Sequence, residues 1–204
     1  MPAEDSVEQP ESNLYQILEC GADGKPGGIL ITSLGQEVYP HIWLGGYKAL
    51  ESQHFLEKNH IKHILSLGHF KQLYTPGQYC QKIVPVTDHP EADIIQYFPQ
   101  VIQFIQDALD KGESILVHCL AGVSRSPTVV AAYLMATQKL RWKEALAMIK
   151  RTRPFVNPNP GFVAQLKLFQ TMGYLFDLNH PAYLDYKKQH PVDAGHVGHS
   201  EYNV

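Results

Sequence analysis

The amino-acid sequence predicts an α/β domain with a central, mostly parallel sheet flanked by helices. Two observations lead to this prediction. Short apolar runs alternate along the chain with segments of helical periodicity, which is the pattern of repeated strand and helix units. The run at residues 114–117 is apolar at nearly every position, as expected for a parallel strand that is buried on both faces.

Taken in chain order, the predicted strands cover residues 42–44, 61–67, 83–86 and 114–117. A helix is predicted between the last two strands, because its apolar side chains form one stripe from Phe98 to Leu109 and Lys111-Gly112 closes it. Three further helices are predicted after the last strand, over residues 127–138, 142–151 and 161–172.

The chain has 204 residues, which suits one domain with extensions. We expect an N-terminal extension over residues 1–37, partly disordered because its beginning is polar, acidic and contains prolines. The patterned region at residues 38–172 is the predicted folded domain. Residues 173–204 form a predicted tail that is ordered first and frayed later.

The composition excludes several classes of protein. Seventeen Lys and Arg against 20 Asp and Glu give a formal net charge of −3, which argues against general nucleic-acid or anionic-membrane binding. No apolar run approaches the roughly 20 residues of a membrane helix, and the N-terminus shows no signal-peptide pattern. The three cysteines lack CxxC spacing, which speaks against a cysteine zinc site and for a reducing compartment. We therefore expect a cytoplasmic location, and a chain of this size can also enter the nucleus. The sequence does not indicate an oligomeric state.

The segment His118-Cys119-Leu120-Ala121-Gly122-Val123-Ser124-Arg125-Ser126 lies where a predicted buried strand ends and a helix begins. Five residues between Cys119 and Arg125 can curl so that backbone N–H groups point inward, and Gly122 permits the tight turn. A tetrahedral dianion fits such a loop and the guanidinium fork of Arg125. Cys119 at its base is a candidate thiolate nucleophile toward phosphorus. The alternative is a buried, inert Cys119 beside an ordinary helix-start arginine.

This loop resembles the signature loop of the cysteine-dependent protein phosphatases, and its ending, AGVSRS, resembles that of the dual-specificity branch. Other similar segments are VYPHIWLGG, IKHILSL, VPVTDHPEADIIQYF and RPFVNPNPGFVAQL. The resemblance implies a protein-tyrosine-phosphatase-like fold. The later stretch QLKLFQTMGYLFDLNHPAYLDYKKQ is similar to a segment of the glucokinase-associated dual-specificity phosphatases. Longer members of that subfamily carry a cysteine-rich zinc-binding domain, which we do not expect in this chain.

The resemblance implies further site residues, each with a structural alternative. Asp88, 31 residues before Cys119, corresponds to the general acid, although a turn aspartate can also cap a helix. His118 is implied to tune the thiolate, and Ser126 to stabilise it or else to cap the helix. Asn159 is implied to brace the loop, or else to form a plain turn. Asp93, the competing candidate acid, is interpreted as a helix cap.

The substrate-binding positions are the loop residues Leu120, Ala121, Gly122, Val123, Ser124 and Arg125. The variable ones carry no charge, whereas the related lipid phosphatases place lysines there and RNA-end phosphatases place Asn before the arginine. The resemblance therefore implies an enzyme that acts on phosphotyrosine and phosphoserine or phosphothreonine of protein substrates, with no cofactor and no metal. The alternatives are a lipid or RNA-end phosphatase of the same fold and a non-catalytic phosphate-binding or scaffolding module.

Three features outside the loop also carry predictions. Cys80 is a candidate for a protective disulfide with Cys119 under oxidation. The histidines of the tail are interpreted as a solvated surface rather than a metal site; they are His180, His190, His196 and His199. The tail aromatics are expected to pack on the domain itself, the alternative being partner binding; they are Tyr174, Phe176, Tyr183 and Tyr186.

Overall fold

Five strands form one twisted sheet in the computed structural model, which describes residues 34–71 and 77–190. The strands are β1 (Gly35–Tyr39), β2 (Ile42–Gly45), β3 (Ile61–Leu67), β4 (Cys80–Val84) and β5 (Ser114–His118). Their order across the sheet is β1-β2-β5-β3-β4. Only β1 runs antiparallel to its neighbour, so the predicted mostly parallel sheet is confirmed.

The helices of the described chain are α1 (Tyr47–Glu51), α2 (Gln53–Lys58), α3 (Phe98–Asp110), α4 (Arg125–Gln138), α5 (Trp142–Thr152), α6 (Pro160–Thr171) and α7 (Pro181–Gln189), with a short 3-10 helix at Ile95–Tyr97. Asn159 caps α6, because its side chain accepts the N–H of Phe162. Prolines begin α6 and α7, where the missing N–H costs no helical bond.

Two apolar layers pack on opposite faces of the sheet. Alternating strand residues such as Ile115 and Val117 point into the larger layer, which helices α3 to α6 complete. Leu116 points the other way, into a smaller layer formed with α1 and α2. Because β5 is central and contributes to both layers, the loop that follows it starts from a fixed position.

The structure corrects the sequence prediction in two places. The fourth strand covers residues 80–84 rather than 83–86, since Pro85 has no N–H to continue the ladder. One strand and three α-helices were not predicted, namely β1, α1, α2 and α7, and neither was the short 3-10 helix. The predicted N-terminal extension lies almost wholly outside the described residues, as does the end of the tail, so the predicted domain boundaries stay a prediction.

The C-terminal segment folds back onto the larger apolar layer. Tyr183 of α7 is buried, and Tyr174, Phe176 and Tyr186 pack against the same layer. The expectation that the tail aromatics pack on the domain itself is thus confirmed for all four. None of the described helices is long and apolar enough to cross a membrane.

Candidate active site

The candidate site lies at the carboxyl end of β5, in the loop that joins this strand to α4. Both neighbouring strands of β5 run parallel to it, so their carboxyl ends and the loops that follow meet at the same edge. The loop begins at Cys119 and ends at Ser124, directly before α4. The sequence thus predicted the location of the loop in the fold correctly.

Five consecutive backbone carbonyls of this loop, those of residues 120–124, accept hydrogen bonds from the surrounding structure. In order, the donors are Tyr47 N (2.8 Å), Arg153 Nη2 (3.3 Å), Arg153 Nε (3.0 Å), Asn157 N (2.8 Å) and Thr128 Oγ1 (2.7 Å). Because the outer partners hold the carbonyls, the loop can turn its N–H groups toward its centre. The loop therefore has the shape expected of an anion-binding loop, while the binding itself stays a prediction.

Cys119 lies at the base of the loop and is 1 % exposed. Its Sγ accepts two hydrogen bonds of 3.3 Å, from the backbone N–H of Gly122 and from the hydroxyl of Ser126. Both donors direct a hydrogen atom toward the sulfur, on the side where the loop turns. Ser126 has no capping role here, since α4 already begins at Arg125.

Arg125 closes the other side of the loop, with 6 % of its surface exposed. Its Nη1 donates to the carbonyl of Val86 at 3.3 Å, which fixes the direction of the guanidinium. Its Nε is buried and donates no hydrogen bond within the described residues. A phosphate oxygen bound in the loop can accept this proton as part of a charge-assisted pair.

Asp88 faces the loop from the segment after β4. Its Oδ1 accepts hydrogen bonds from Ser124 Oγ at 2.6 Å and Asn159 Nδ2 at 3.0 Å, and its Oδ2 lies 3.7 Å from Arg125 Nε. One oxygen is therefore held by two donors while the other stays near the guanidinium. Asn159 thus holds the carboxylate of Asp88 through Nδ2, and its Oδ1 accepts the N–H of Phe162 as the cap of α6, a contact that was not predicted.

His118 is fully buried behind Cys119. Its Nδ1 lies 3.2 Å from the Cys119 carbonyl, which can only accept, so Nδ1 carries the proton and Nε2 accepts the hydroxyl of Ser66 at 2.6 Å. Burial, together with the nearby Arg125 cation, lowers the pKa of His118 from 6.5 to about 4. This histidine is neutral at pH 7, and its contact with the loop is a fixed hydrogen bond rather than a proton transfer.

Sequence reasoning missed Arg153, which is the largest fully buried side chain of the described chain. Its guanidinium donates to the carbonyls of Ala121 and Gly122 and to the side chain of Gln36. The guanidinium carbon, Cζ, lies 4.4 Å from the ring centre of Phe155. A fully buried arginine is rare unless it is paired. Only its place as the first residue of the quoted RPFVNPNPGFVAQL segment could have drawn attention to it.

Asp93 does not cap a helix, contrary to the sequence interpretation. The caps of the 3-10 helix and of α3 are Ile94 and Tyr97, neither of which uses a side chain. The carboxylate of Asp93 instead binds Tyr183 and Lys187 of α7. The structure therefore removes Asp93 from the candidate acids, because its Oδ2 is occupied by two donors away from the loop.

The register of the sheet also contradicts a disulfide between Cys80 and Cys119. Cys80 pairs with His63 at the start of β3, whereas Cys119 follows His118, which pairs with Ser66 on the other side of β3. Two strand spacings and about four residues of rise separate the two cysteines by roughly 16 Å. A disulfide needs Cα atoms within about 7 Å.

Two of the four tail histidines lie within the described residues. His180 caps α7 by accepting the N–H of Ala182, and His190 stacks on Tyr186. His196 and His199 lie outside the described residues. Across residues 34–71 and 77–190, no cluster of three or more His, Cys, Asp and Glu side chains is arranged to hold a metal ion.

Comparison with known proteins identifies the fold and the family. The chain is 44% identical over 135 residues to dual specificity protein phosphatase 22-B of Danio rerio, which covers 66% of this chain and 73% of the relative. It is 32% identical over 170 residues to human dual specificity protein phosphatase 12, which covers 80% of this chain but only 50% of that protein. The crystal structure of DUSP15 superimposes with a TM-score of 0.66 at 34% identity, over 76% of this chain and 96% of the other.

The family model for the dual specificity phosphatase catalytic domain matches residues 42–172. That range holds the loop with Cys119 and Arg125 as well as Asp88 and Asn159. The protein-tyrosine-phosphatase-like fold implied by the sequence resemblance is thereby confirmed. A family match over more than half of the chain, together with these relatives, leads to one conclusion: the chain belongs to the dual-specificity protein phosphatases, a family of phosphoric monoester hydrolases.

Proposed function

We propose that this chain hydrolyses phosphate esters of tyrosine and of serine or threonine in proteins through a phospho-cysteine intermediate. One observation carries the proposal. Cys119 Sγ lies at the base of a loop whose five outer carbonyls are all held from outside, with Asp88 and Arg125 facing the same loop. Nucleophile, anion site and acid are thus assembled within one small volume.

In the first step, the Cys119 thiolate attacks phosphorus in line with the leaving oxygen. The S–P bond forms as the P–O bond of the substrate breaks, and Asp88 transfers its proton to that oxygen. Arg125 and the loop N–H groups stabilise the charge on the three remaining phosphoryl oxygens. The products of this step are the dephosphorylated side chain and phospho-Cys119.

In the second step, water replaces the departed side chain. Asp88, now a carboxylate, takes a proton from the water molecule. The water oxygen attacks phosphorus at the same time, and the S–P bond breaks. The sulfur leaves as a thiolate that accepts hydrogen bonds from Ser126 and Gly122, as in the resting site. Inorganic phosphate is released and the site regains its starting protonation.

The side chains at the rim of the loop support a protein substrate. Leu120 is 37 % exposed and Ala121 is exposed, whereas Gly122 and Ser124 are buried. An apolar rim offers no cation for the additional phosphates of an inositol lipid or a triphosphate end. Beside the loop, Tyr47 and Phe70 stack with their ring centres 5.6 Å apart and form an apolar wall. An aromatic or aliphatic side chain that carries a single phosphate suits such a rim.

The decisive experiment compares the intact protein with Cys119→Ser on a small aryl phosphate, without added metal. We expect turnover by the intact protein and none by the variant, with the phosphate-binding loop still folded. A panel of phosphotyrosine and phosphothreonine peptides, a phosphoinositide and a triphosphate-ended RNA then ranks substrates by kcat/KM. A best rate on the lipid or on the RNA contradicts the proposed substrate class.

We further propose that the chain is related to the glucokinase-associated subfamily. The similarity to human dual specificity protein phosphatase 12 extends over 170 residues and therefore takes in part of the chain beyond residues 42–172. The quoted segment that resembles the subfamily includes all of α7. Direct binding between this chain and purified glucokinase tests the proposal, and no measurable binding at micromolar concentrations of both proteins contradicts it.

A further inference from the structure

The carboxylate of Asp93 joins the C-terminal helix to the segment that carries Asp88. Its Oδ2 accepts a hydrogen bond from Tyr183 Oη at 2.7 Å and another from Lys187 Nζ at 2.9 Å, both on α7. The side chain of Asp93 is 10 % exposed, and Tyr183 is 5 % exposed. Charge-assisted bonds that are this sheltered from water fix both partners in place.

Tyr183 stays a donor at any ordinary pH. Burial, followed by the hydrogen bond and the negative charge of Asp93, raises the pKa of the Tyr183 phenol. The bond to Asp93 therefore keeps one direction, from hydroxyl to carboxylate.

The segment between Asp88 and Asp93 has little freedom to move independently. The N–H of Ala92 donates to the carbonyl of His89 at 3.0 Å, which closes a turn inside the segment. Gln165 of α6 bridges it, receiving the N–H of Ile95 at 2.9 Å and donating to the carbonyl of Ala92 at 2.8 Å. The turn ends at His89, the neighbour of Asp88, so a displacement of Asp93 shifts a short, bonded segment that carries the candidate acid.

The helix that applies this constraint lies outside the range that the family model matches. The match ends at residue 172, whereas α7 covers Pro181–Gln189. None of the steps described above uses α7, yet its only buried tyrosine contacts the acid-bearing segment. Packing on the apolar layer accounts for the burial of the Tyr183 ring, but it does not require that Tyr183 and Lys187 both donate to one carboxylate oxygen of this segment.

We propose that α7 positions the general acid. Tyr183 and Lys187 act as positioning residues: by binding Asp93, they hold the segment that places Asp88 over the loop. The proposal rests on the proposed function, in which Asp88 protonates the leaving oxygen. Its chemical signature is selective, because a leaving group that is already a weak base needs little protonation, whereas an alkoxide or phenoxide of high basicity needs the acid fully. In the first step, misplacing the acid therefore slows only substrates whose leaving group is strongly basic.

The test measures kcat/KM for two aryl phosphates, one with a fluorinated, weakly basic leaving group and one with unsubstituted phenol as leaving group. This quantity reports only the steps up to departure of the leaving group, so it excludes the hydrolysis of phospho-Cys119, in which Asp88 also acts. The variants are Tyr183→Phe and Lys187→Met, with Lys188→Met as the matched control. Lys188 is the next residue of α7, is exposed and pairs with Asp185 of its own helix. We expect kcat/KM on phenyl phosphate to fall about three- to tenfold in the two test variants, with little change on the activated ester and none in the control.

Asp88→Asn separates this inference from the function on which it rests. If Asp88→Asn loses activity on phenyl phosphate selectively and the two test variants do not, the positioning role of α7 is overturned while the mechanism stands. If Asp88→Asn itself shows no dependence on the leaving group, the general-acid assignment is overturned. An equal loss on both esters in Tyr183→Phe indicates a purely structural effect and also overturns the inference.

A second variant keeps the test informative should Tyr183→Phe fold poorly. Asp93→Asn retains the shape of the side chain but removes the charge that both donors bind. We expect it to reproduce the selective loss on phenyl phosphate. A folded Asp93→Asn protein with an unchanged ratio of the two rates contradicts the proposal.

Discussion

Gly122 of the catalytic loop has no room for a side chain. Its φ is +69°, and a Cβ placed there lies 2.5 Å from the carbonyl oxygen of Gly45 and 2.6 Å from Arg153 Nη2. The first of these neighbours is backbone and cannot move aside without displacing β2. Glycine is therefore required for the close approach as well as for the turn.

Gly122→Ala should reduce kcat/KM by at least about tenfold and lower the free energy of unfolding by about 1–3 kcal/mol, because strain and a backbone clash coincide. Steady-state kinetics and chemical denaturation measure the two effects. The matched control is Gly112→Ala, which has the same φ of +69° but nothing within 4 Å of the added methyl. Equal losses of activity in both variants contradict the role assigned to the close approach.

Arg153 supports the loop from below through the carbonyls of Ala121 and Gly122. In Arg153→Met these two acceptors lose their donor, and an unsatisfied buried polar group costs about 1–3 kcal/mol. We expect a raised inhibition constant for inorganic phosphate together with a lower kcat/KM. Arg151→Met, an exposed position on α5, is the control. Unchanged phosphate inhibition in Arg153→Met contradicts the supporting role.

At the scale of elements, β3 and β5 are joined behind the nucleophile by Ser66 and His118. The lowered pKa of His118 makes this junction sensitive to acid. In the unfolded chain the imidazole takes up a proton below about pH 6.5, whereas the folded protein resists protonation down to about pH 4. The unfolded state therefore binds more protons in this window, and stability falls as the pH is lowered through it.

The folded protein should lose about 3 kcal/mol of stability from this one group between pH 6.5 and pH 4, at about 1.4 kcal/mol for each pKa unit. Urea denaturation at a series of pH values measures the loss. His118→Gln removes the titrating group, so its stability should depend less steeply on pH in the same window. Parallel stability curves for the two proteins contradict this account.

The periodic elements could be predicted because their signals are local. The apolar stripe of α3 and the apolar run of β5 are visible within a dozen residues. The missed strand and the three missed α-helices give a weaker signal. β1 is the five residues GQEVY with two polar side chains, α1 and α2 are only 5 and 6 residues long, and α7 has no clear apolar stripe. Tertiary packing rather than local preference determines these elements.

In the candidate site, too, the residues with a local sequence signal could be predicted and the long-range contacts could not. Cys119, Arg125 and Ser126 lie within eight consecutive residues whose pattern is informative by itself. The contacts that shape the loop come from far along the chain, from Tyr47 at one end and Arg153 and Asn157 at the other. Asp93 was misread for the same reason, since its partners on α7 are 90 and 94 residues away. Such long-range pairs leave no trace in local spacing.

At the scale of the whole molecule, the C-terminal segment contributes to the main apolar layer. Tyr183 is buried, and Phe176 packs edge-on against it with ring centres 5.0 Å apart. A chain that lacks residues 173–204 should therefore lose at least about 2 kcal/mol of unfolding free energy, the value of one buried aromatic side chain. Chemical denaturation of the shortened and full chains measures it. A shortened chain of unchanged stability contradicts this packing role and favours partner binding by the tail.

The outward hydrogen bonds of the catalytic loop have a consequence for how the protein is made. The loop sequence is complete at Ser126, but the donors that hold the carbonyls of residues 121–123 come from Arg153 and Asn157. During synthesis from the N-terminus, the nucleophile therefore leaves the ribosome well before the residues that give its pocket a shape. The nascent chain carries a reactive thiol with no fixed oxyanion site, and it gains affinity for phosphate only once the chain beyond α5 has docked.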